Sequence, residues 1–187
     1  MTSAKPRTWQ ERYQQPGYRC GTEPVEFLRQ HLAEVDRGTA LDLAMGEGRN
    51  AVFLARRGFA VTGIEGASAA IAKARALAQK ARVTLTAIQA NLEEFALPVA
   101  QFDLVLCFYY LQRDLFTAME RALKPGGALM VETYTTDQLR LARGPRRPEH
   151  LLQPNELYRA FRHLRVAYYR EVTRGGRAVA SLLAYRS

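Results

Sequence analysis

The chain has 187 residues, 48% of them hydrophobic, which suits one compact domain with a buried core. Its apolar runs are too short to cross a bilayer, and its two cysteines are too few for a disulfide scaffold, so we expect a cytoplasmic protein without a membrane span. The net charge of +9 favours anionic partners, but most basic residues are scattered, with one cluster at 140–147.

The hydrophobic pattern predicts alternating strands and helices along most of the chain. A first helix is expected at 23–34, with Thr22 as its N-cap. Strands follow at 39–43, 59–64, 85–89, 102–108 and 128–132, and helices at 49–57, 68–82 (with Ser68 as N-cap) and 114–123. This alternation is typical of βαβ units and therefore of a parallel sheet in an α/β fold.

The last part of the chain has a different pattern. A helix is predicted at 155–161, followed by strands at 165–172 and 177–185. Gly175 and Gly176 lie between these two strands, which indicates a hairpin. We therefore expect a single domain over 1–187. It begins with a polar segment at 1–21, and its parallel sheet ends in an antiparallel pair of strands.

A glycine turn joins the first predicted strand to the next helix. Gly46 and Gly48 begin the pattern G-x-G-x-x-A, in which the backbone can approach a ligand and the helix N-terminus offers free N–H groups. Glu65 ends the second strand, where a carboxylate can accept hydrogen bonds from both hydroxyls of a ribose. These residues fit a dinucleotide and S-adenosylmethionine equally well, and the turn alone also fits a plain strand-to-helix connection.

Asp42, just before the turn, distinguishes the two cofactors. A carboxylate here would repel the pyrophosphate of a dinucleotide, whereas it would attract the ammonium group of S-adenosylmethionine. The alternative is that Asp42 only bonds N–H groups of the loop. On balance the sequence favours S-adenosylmethionine over a dinucleotide-dependent oxidoreductase.

The stretch DLAMGEGRN at 42–50 resembles the first motif of class I S-adenosylmethionine-dependent methyltransferases, and 41–65 resembles their tellurite-resistance-type branch of small bacterial enzymes. WQERY at 9–13, FDLV at 102–105, LKPGG at 123–127 and LQPNEL at 152–157 are similar to further elements of that group. The resemblance covers most of the chain. It implies a doubly wound, Rossmann-like sheet of seven strands in the order 3-2-1-4-5-7-6, with strand 7 antiparallel.

The resemblance also implies a set of cofactor-binding residues: Trp9, Arg12, Asp42, Ala44, Gly46, Glu47, Gly48, Asn50, Glu65, Gly66, Asn91, Leu92 and Phe108. Trp9, Arg12 and Tyr13 would belong to an N-terminal lid. The sequence departs from the family pattern at two positions. Met45 stands where a small residue is usual, and Asn91 stands where Asp is common, although its side-chain carbonyl can still accept a hydrogen bond.

Candidates for the acceptor pocket follow the fourth and fifth strands. Ligands in open α/β sheets bind beyond the carboxyl ends of the strands, which places Tyr109, Tyr110 and Tyr134 beside the transferable methyl group. His150 lies in the basic loop. Methyl transfer yields S-adenosylhomocysteine, a neutral leaving group that needs no acid, and a base is required only where the acceptor must lose a proton. No Cys/His cluster has metal-ligand spacing, so no metal is expected.

The small chain favours a small-molecule acceptor, including an anion or a soft nucleophile such as a thiol or an oxyanion of tellurium or selenium, by analogy with the family. Two alternatives remain open. The charge favours a nucleic-acid methyltransferase, although the sequence CFYY at 107–110 differs from the motif of base amino-group methylators. Met45 motivates a protein that binds S-adenosylmethionine without turning it over.

Overall fold

Seven strands form one mixed sheet in the computed structural model, which describes residues 8–187. The order is β3-β2-β1-β4-β5-β7-β6, and β7 runs antiparallel to both of its neighbours. The strands are β1 (Thr39–Leu43), β2 (Ala60–Glu65), β3 (Thr86–Gln89), β4 (Phe102–Phe108), β5 (Leu123–Tyr134), β6 (Arg165–Arg174) and β7 (Arg177–Tyr185). The predicted strand order and the antiparallel end are confirmed.

Six α-helices connect or flank these strands in the described part of the chain. They are α1 (Trp9–Tyr13), α2 (Glu26–His31), α3 (Arg49–Arg56), α4 (Ser68–Ala81), α5 (Leu115–Ala122) and α6 (Glu156–Phe161). The two largest clusters of buried apolar side chains form the cores. One core includes residues of α2, α3 and α4, and the other includes residues of α5 and α6, so helices cover both faces of the sheet, as expected for a doubly wound fold.

The first predicted helix is shorter than expected, and its start was wrong. α2 spans only Glu26–His31, a 3₁₀ turn continues it, and its N-cap residue is Val25 instead of Thr22. The side-chain oxygen of Asn50 accepts the N–H of Val25 at 2.9 Å. A local N-cap side chain usually accepts the free N–H groups at the start of a helix. Here Asn50, which is distant in sequence, accepts one of them.

The start of α4 also differs from the prediction. Ala67 is the N-cap residue and Ser68 is the first helical residue. Gln10 from α1 supplies the capping instead, because its Oε1 accepts the N–H of Ala69 at 3.2 Å. α1 therefore packs on the N-terminus of α4, close to the glycine loop.

The hairpin between β6 and β7 has the predicted turn. Gly175 and Gly176 both have positive φ, +59° and +75°, and Arg174 pairs with Arg177 across them. Two left-handed residues in a two-residue turn match the right-handed twist of the strands. Since β7 is antiparallel to β5, this turn lies at the carboxyl edge of the parallel strands, where the glycine loop also lies.

Candidate functional site

The glycine loop leaves β1 in a left-handed conformation. Ala44, Gly46 and Gly48 have φ values of +52°, +56° and +83°. A Cβ on Gly48 would lie 2.7 Å from that of Ala74, so glycine is needed for α3 to approach α4. The free N–H groups at the start of α3 are thereby directed to the carboxyl edge of the sheet.

Glu65 orients this loop from the end of β2. The side chain is buried, its Oε2 accepts the N–H of Gly46 at 3.0 Å, and its Oε1 accepts the N–H of Ala67 at 2.8 Å. Each carboxylate oxygen has a second acceptor position. Glu65 can therefore hold the loop and still accept hydrogen bonds from ribose hydroxyls, which fits its predicted role.

Asp42 lies buried beneath the loop with one unsatisfied oxygen. Asp42 is 1% exposed, and among residues 8–187 its Oδ2 has no hydrogen-bond partner. Burial raises its pKa to about 8, against the opposing effects of Arg49 and of the N–H of Ala51. The N–H that bonds the carboxylate belongs to the first turn of α3, so a structural role next to the loop remains as the alternative interpretation. The unpartnered oxygen nevertheless fits a cationic ligand group, because a buried polar atom without a partner is costly.

Met45 packs into the core instead of toward the loop. It is 4% exposed and belongs to the core on the α2 and α3 side of the sheet. A Cβ placed on Gly63 of β2 would overlap its sulfur, so the long side chain occupies the space that glycine leaves. The absence of a side chain at Gly63 therefore makes room for the long side chain of Met45, which stands where the family usually has a small residue. Met45 thus gives no reason to expect impaired cofactor binding.

Tyr13, one of the residues expected in an N-terminal lid, covers the glycine loop. Its hydroxyl would lie 3.1 Å from a Cβ on Gly46, and burial together with the charge of Glu65 raises its pKa. Trp9 stacks on Tyr13 at 5.4 Å, and the Arg12 guanidinium lies 4.8 Å from the Trp9 ring. Trp9 and Arg12 therefore form the outer side of this segment, and their direct contact with cofactor stays a prediction.

Glu47 joins the loop to the segment between α1 and α2. Its buried carboxylate accepts a hydrogen bond from Lys73 at 2.9 Å and from the N–H of Cys20 at 3.3 Å. Lys73 also donates to the carbonyls of Gln15 and Gly17 at 2.8 and 2.6 Å. Glu47, like Asn50, is thus engaged by the protein itself, and its side chain holds the segment over the loop.

The predicted adenine end lies after β3. Leu92 is buried, whereas Asn91 is exposed and its amide bonds the N–H of Glu93 and the carboxylate of Glu94. Gly66 accepts a hydrogen bond from Gln89 at 3.5 Å, and a Cβ on Gly66 would make only ordinary contact. The described contacts are those of a local turn, and the binding roles of these residues stay predictions.

A polar cluster lies at the ends of β4, β5 and β7, on the predicted acceptor side. The hydroxyl of Tyr109 donates to Oε1 of the buried Glu132 at 2.7 Å, and Ser181 donates to Oε2 at 2.7 Å. Arg177 donates to the Tyr109 hydroxyl at 3.2 Å, and Tyr134 packs 5.3 Å from the Tyr109 ring. Tyr109 and Tyr134 are therefore brought together, and their place beside the transferable methyl group stays a prediction.

Arg49 completes this cluster from the start of α3. Its guanidinium lies 5.7 Å from the Tyr109 ring, on which Arg177 also lies at 5.5 Å. Tyr109 itself has φ +59°, an uncommon value for a bulky residue, and such strain is often found at functional sites. The sequence analysis did not include three residues of this cluster, Glu132, Arg177 and Arg49, among the candidates. Only Glu132 had a local signal in the sequence, because its carboxylate interrupts the apolar run LMVETY.

The remaining acceptor candidates lie apart from this cluster. Tyr110 donates to Gln112 at 2.7 Å, and burial raises its pKa to about 12. His150 is exposed in a short 3₁₀ turn. The Phe108 side chain is in the core, with its ring 6.5 Å from that of Phe27, and its role in cofactor binding stays a prediction. Within residues 8–187, no His, Cys, Asp and Glu side chains cluster as a metal site, and no helix is long and apolar enough to span a membrane.

Comparison with known proteins agrees with this geometry. A family described as a methyltransferase domain matches residues 40–127. A protein of Geobacillus sp. (strain WCH70) and the ubiquinone biosynthesis O-methyltransferase of Alkalilimnicola ehrlichii are each 32% identical, over 59% and 58% of this chain. The matches cover 49% and 47% of those relatives, so the chain spans about half the length of the curated relatives that it matches.

Solved structures with the same fold include TehB from Haemophilus influenzae, with a TM-score of 0.76 at 17% identity over 90% of this chain and 64% of TehB. Another is geranyl diphosphate C-methyltransferase from Streptomyces coelicolor A3(2), crystallised with S-adenosyl-L-homocysteine, with a TM-score of 0.66 at 18% identity over 87% and 76% of the two chains. Residues 40–127 therefore match a methyltransferase domain, and the strand order of the whole sheet agrees with the fold of these solved structures.

Proposed function

We propose that this chain transfers a methyl group from S-adenosylmethionine to a small-molecule acceptor that binds beside Tyr109 and Tyr134. The observation that carries the cofactor side is Asp42, whose buried Oδ2 lacks a partner directly below the glycine loop. The acceptor side is supported by the cluster at the ends of β4, β5 and β7, which lies at the same edge of the sheet. The two groups of residues are next to each other, as a transfer between two bound molecules requires.

The residues of the loop would hold the cofactor in complementary ways. Asp42 would face the methionine ammonium, Glu65 the ribose hydroxyls, and Asn91 with Leu92 the adenine. When bound, the cofactor supplies an activated methyl group on a sulfonium. Tyr13 and the segment that Lys73 holds would exclude water above the loop, so the chain contributes mainly positioning and desolvation.

The small acceptor is supported by the relatives and by the shape of the site. The Alkalilimnicola relative is an O-methyltransferase of ubiquinone biosynthesis, and the Streptomyces structure is a C-methyltransferase with geranyl diphosphate. The acceptor cluster here is bounded by aromatic rings and by two arginines, Arg49 and Arg177, that lie on the faces of Tyr109. Guanidinium groups in this position favour an acceptor with negative charge.

The test is a two-stage measurement. Calorimetry with S-adenosylhomocysteine and, separately, with NADH should give binding for the first and none for the second. Release of S-adenosylhomocysteine is then followed with a panel of thiols, phenols, carboxylates, selenite and tellurite. Binding followed by turnover with at least one of these acceptors is expected. Binding without turnover on any of them would instead leave a non-catalytic cofactor-binding protein.

A nucleic-acid acceptor is the second candidate, because a basic surface borders the site. Gln138 is buried and donates to the carbonyl of Arg143 at 2.5 Å, while its Oε1 accepts the N–H of Ala178 at 2.7 Å. It thereby joins the basic loop at 140–147 to the start of β7. The arginines of this loop are all exposed, namely Arg140, Arg143, Arg146 and Arg147, and Arg174 is exposed in the hairpin that precedes β7. A salt-sensitive shift of RNA mobility favours this candidate, and no shift at low salt removes it.

A further inference from the structure

Glu132 is a buried carboxylate that has no hydrogen bond from a charged donor among the described residues. It is 6% exposed, and its two oxygens accept hydrogen bonds from two neutral hydroxyls, those of Tyr109 and Ser181. The charge of Arg177 acts on Glu132 from beyond the Tyr109 hydroxyl, without a direct hydrogen bond. Burying a carboxylate without a directly bonded cation is expensive, and an apolar residue would fill this place in β5 at lower cost. The apolar neighbours Met130 and Val131 show what the strand otherwise carries. A purely structural role therefore explains Glu132 poorly.

Tyr109 links this carboxylate to the acceptor side of the site. A phenol has one donor and two acceptor positions. Its donor is committed to Glu132 at 2.7 Å, and one acceptor position receives Arg177 at 3.2 Å. One acceptor position remains. The hydroxyl can therefore accept a hydrogen bond from a bound molecule, but it cannot donate one without giving up Glu132.

We propose that Tyr109 and Glu132 form a proton-accepting pair for an acceptor whose nucleophilic atom carries a proton, such as a thiol or a hydroxyl. This inference rests on the proposed function and narrows its substrate class. It sets such acceptors apart from nucleophiles that attack through a free lone pair, including oxyanions of selenium and tellurium. Tyr109 touches the acceptor in this arrangement, and Glu132 acts through Tyr109.

The step balances in protons and electrons. The acceptor S–H or O–H gives its proton to the Tyr109 oxygen while the O–H of Tyr109 passes its own proton to Oε1 of Glu132. The electron pair left on the acceptor forms the new bond to the methyl carbon, and the carbon–sulfur bond of the cofactor breaks with its electrons on sulfur. After the product leaves, the proton returns from Glu132 through Tyr109 to water. No phenolate accumulates, in keeping with the pKa of Tyr109, which burial and Glu132 raise.

The charged and titratable groups around the pair set its pH response. Arg177 from β7 and Arg49 from α3 face Tyr109, and Tyr134 from β5 packs against its ring. Both arginines stay charged over the useful pH range. A change of turnover with pH that is lost in Glu132→Gln and in Tyr109→Phe can therefore be assigned to the pair and not to these neighbours.

The experiment compares two probe acceptors at pH 7, using the full chain. 2-Mercaptoethanol carries a proton on its nucleophilic atom, and dimethyl selenide does not. Glu132→Gln and Tyr109→Phe should lower turnover of the thiol about 100-fold, within the usual range for a proton-transfer group, and lower turnover of the selenide less than about threefold. The loss on the thiol should shrink as rising pH makes the thiolate. Tyr158→Phe is the matched control, because it removes a tyrosine hydroxyl from an exposed side chain of α6, and it should leave the turnover of both probes unchanged.

Equal losses on both probes, or a loss on the thiol that does not depend on pH, would overturn the pair while leaving methyl transfer established. If the unaltered protein releases no S-adenosylhomocysteine with any acceptor, the proposed function itself fails. An infrared difference spectrum between the unaltered protein and Glu132→Gln at pH 7 gives a readout without turnover. The carboxylate bands of an ionised Glu132 support the pair, and the carbonyl band of a protonated one overturns it.

Discussion

The affinity for S-adenosylhomocysteine should rise steeply with pH because of Asp42. Its pKa is about 8 in the chain without ligand, since the carboxyl is buried and one oxygen lacks a partner. A cationic ammonium beside it would favour the ionised form, so binding must first remove a proton at lower pH. The ionised fraction of Asp42 is about 1% at pH 6 and about one half at pH 8. The affinity for S-adenosylhomocysteine should therefore increase roughly 50-fold between these pH values, which is about 2.3 kcal/mol of binding free energy.

Isothermal titration calorimetry over this pH range measures the effect. Repeating it in buffers with different heats of ionisation at pH 6 should show release of about one proton per molecule bound. Asp42→Asn is the control, and its affinity should be weaker at pH 8 and nearly flat with pH. A pH-independent affinity of the unaltered protein would refute the reasoning and leave Asp42 as a residue that only bonds the loop.

The same group predicts a stability effect of known sign. Because the pKa of Asp42 rises from 3.8 to about 8 on folding, its contribution to stability is complete below about pH 4 and is lost as the pH rises through 8. In the absence of ligand, the Tm of Asp42→Asn relative to the unaltered protein should therefore increase between pH 5 and 9. A constant difference would show that Asp42 ionises in the folded chain as it does in water.

Three further predictions concern named contacts. Glu65→Ala should weaken binding of S-adenosylhomocysteine by about 1.5–3 kcal/mol for each charge-assisted ribose bond lost, and Glu65→Gln by less; unchanged calorimetric affinity would remove the ribose assignment. Gly63→Ala should lower the free energy of unfolding by about 1–3 kcal/mol, because the new methyl group would overlap Met45. Adding Met45→Ala to this variant should recover part of the loss in denaturant titrations. If the effects of the two substitutions on the free energy of unfolding simply add, the contact is contradicted. Gly144→Ala should lower the Tm, since Gly144 has φ +101° and its Cβ would lie 2.7 Å from Gln138 Nε2; an unchanged Tm would argue against a tight loop.

The strand pattern was predictable because it depends on local properties of the sequence. β1 and β4 have the predicted bounds, and the Gly175-Gly176 turn fixed the hairpin. Helix starts were less predictable. Thr22 and Ser68 are good caps by residue type, yet Asn50 and Gln10, both distant in sequence, supply the hydrogen bonds at the starts of α2 and α4.

The cofactor side of the site could be predicted further than the acceptor side. Asp42, Glu65 and the glycines lie within one βαβ unit, so their proximity follows from spacing. Glu132 and Arg177 come from strands that meet only through the register of β5 with β7, which a single sequence does not specify. Their contact with Tyr109 therefore became visible only in the folded chain.

The hydrogen bonds of Lys73 have a consequence for the timing of each catalytic cycle. Its ammonium group joins Glu47 of the glycine loop to the carbonyls of Gln15 and Gly17, and Tyr13 lies on the same loop. If the cofactor binds below this segment, as proposed, it would leave only after the segment lifts, and that movement would break the hydrogen bonds of Lys73. The release rate of S-adenosylhomocysteine would then depend on Lys73, although this lysine lies on the cofactor side of the proposed site. Where product release limits turnover, Lys73 would also affect the maximal turnover rate.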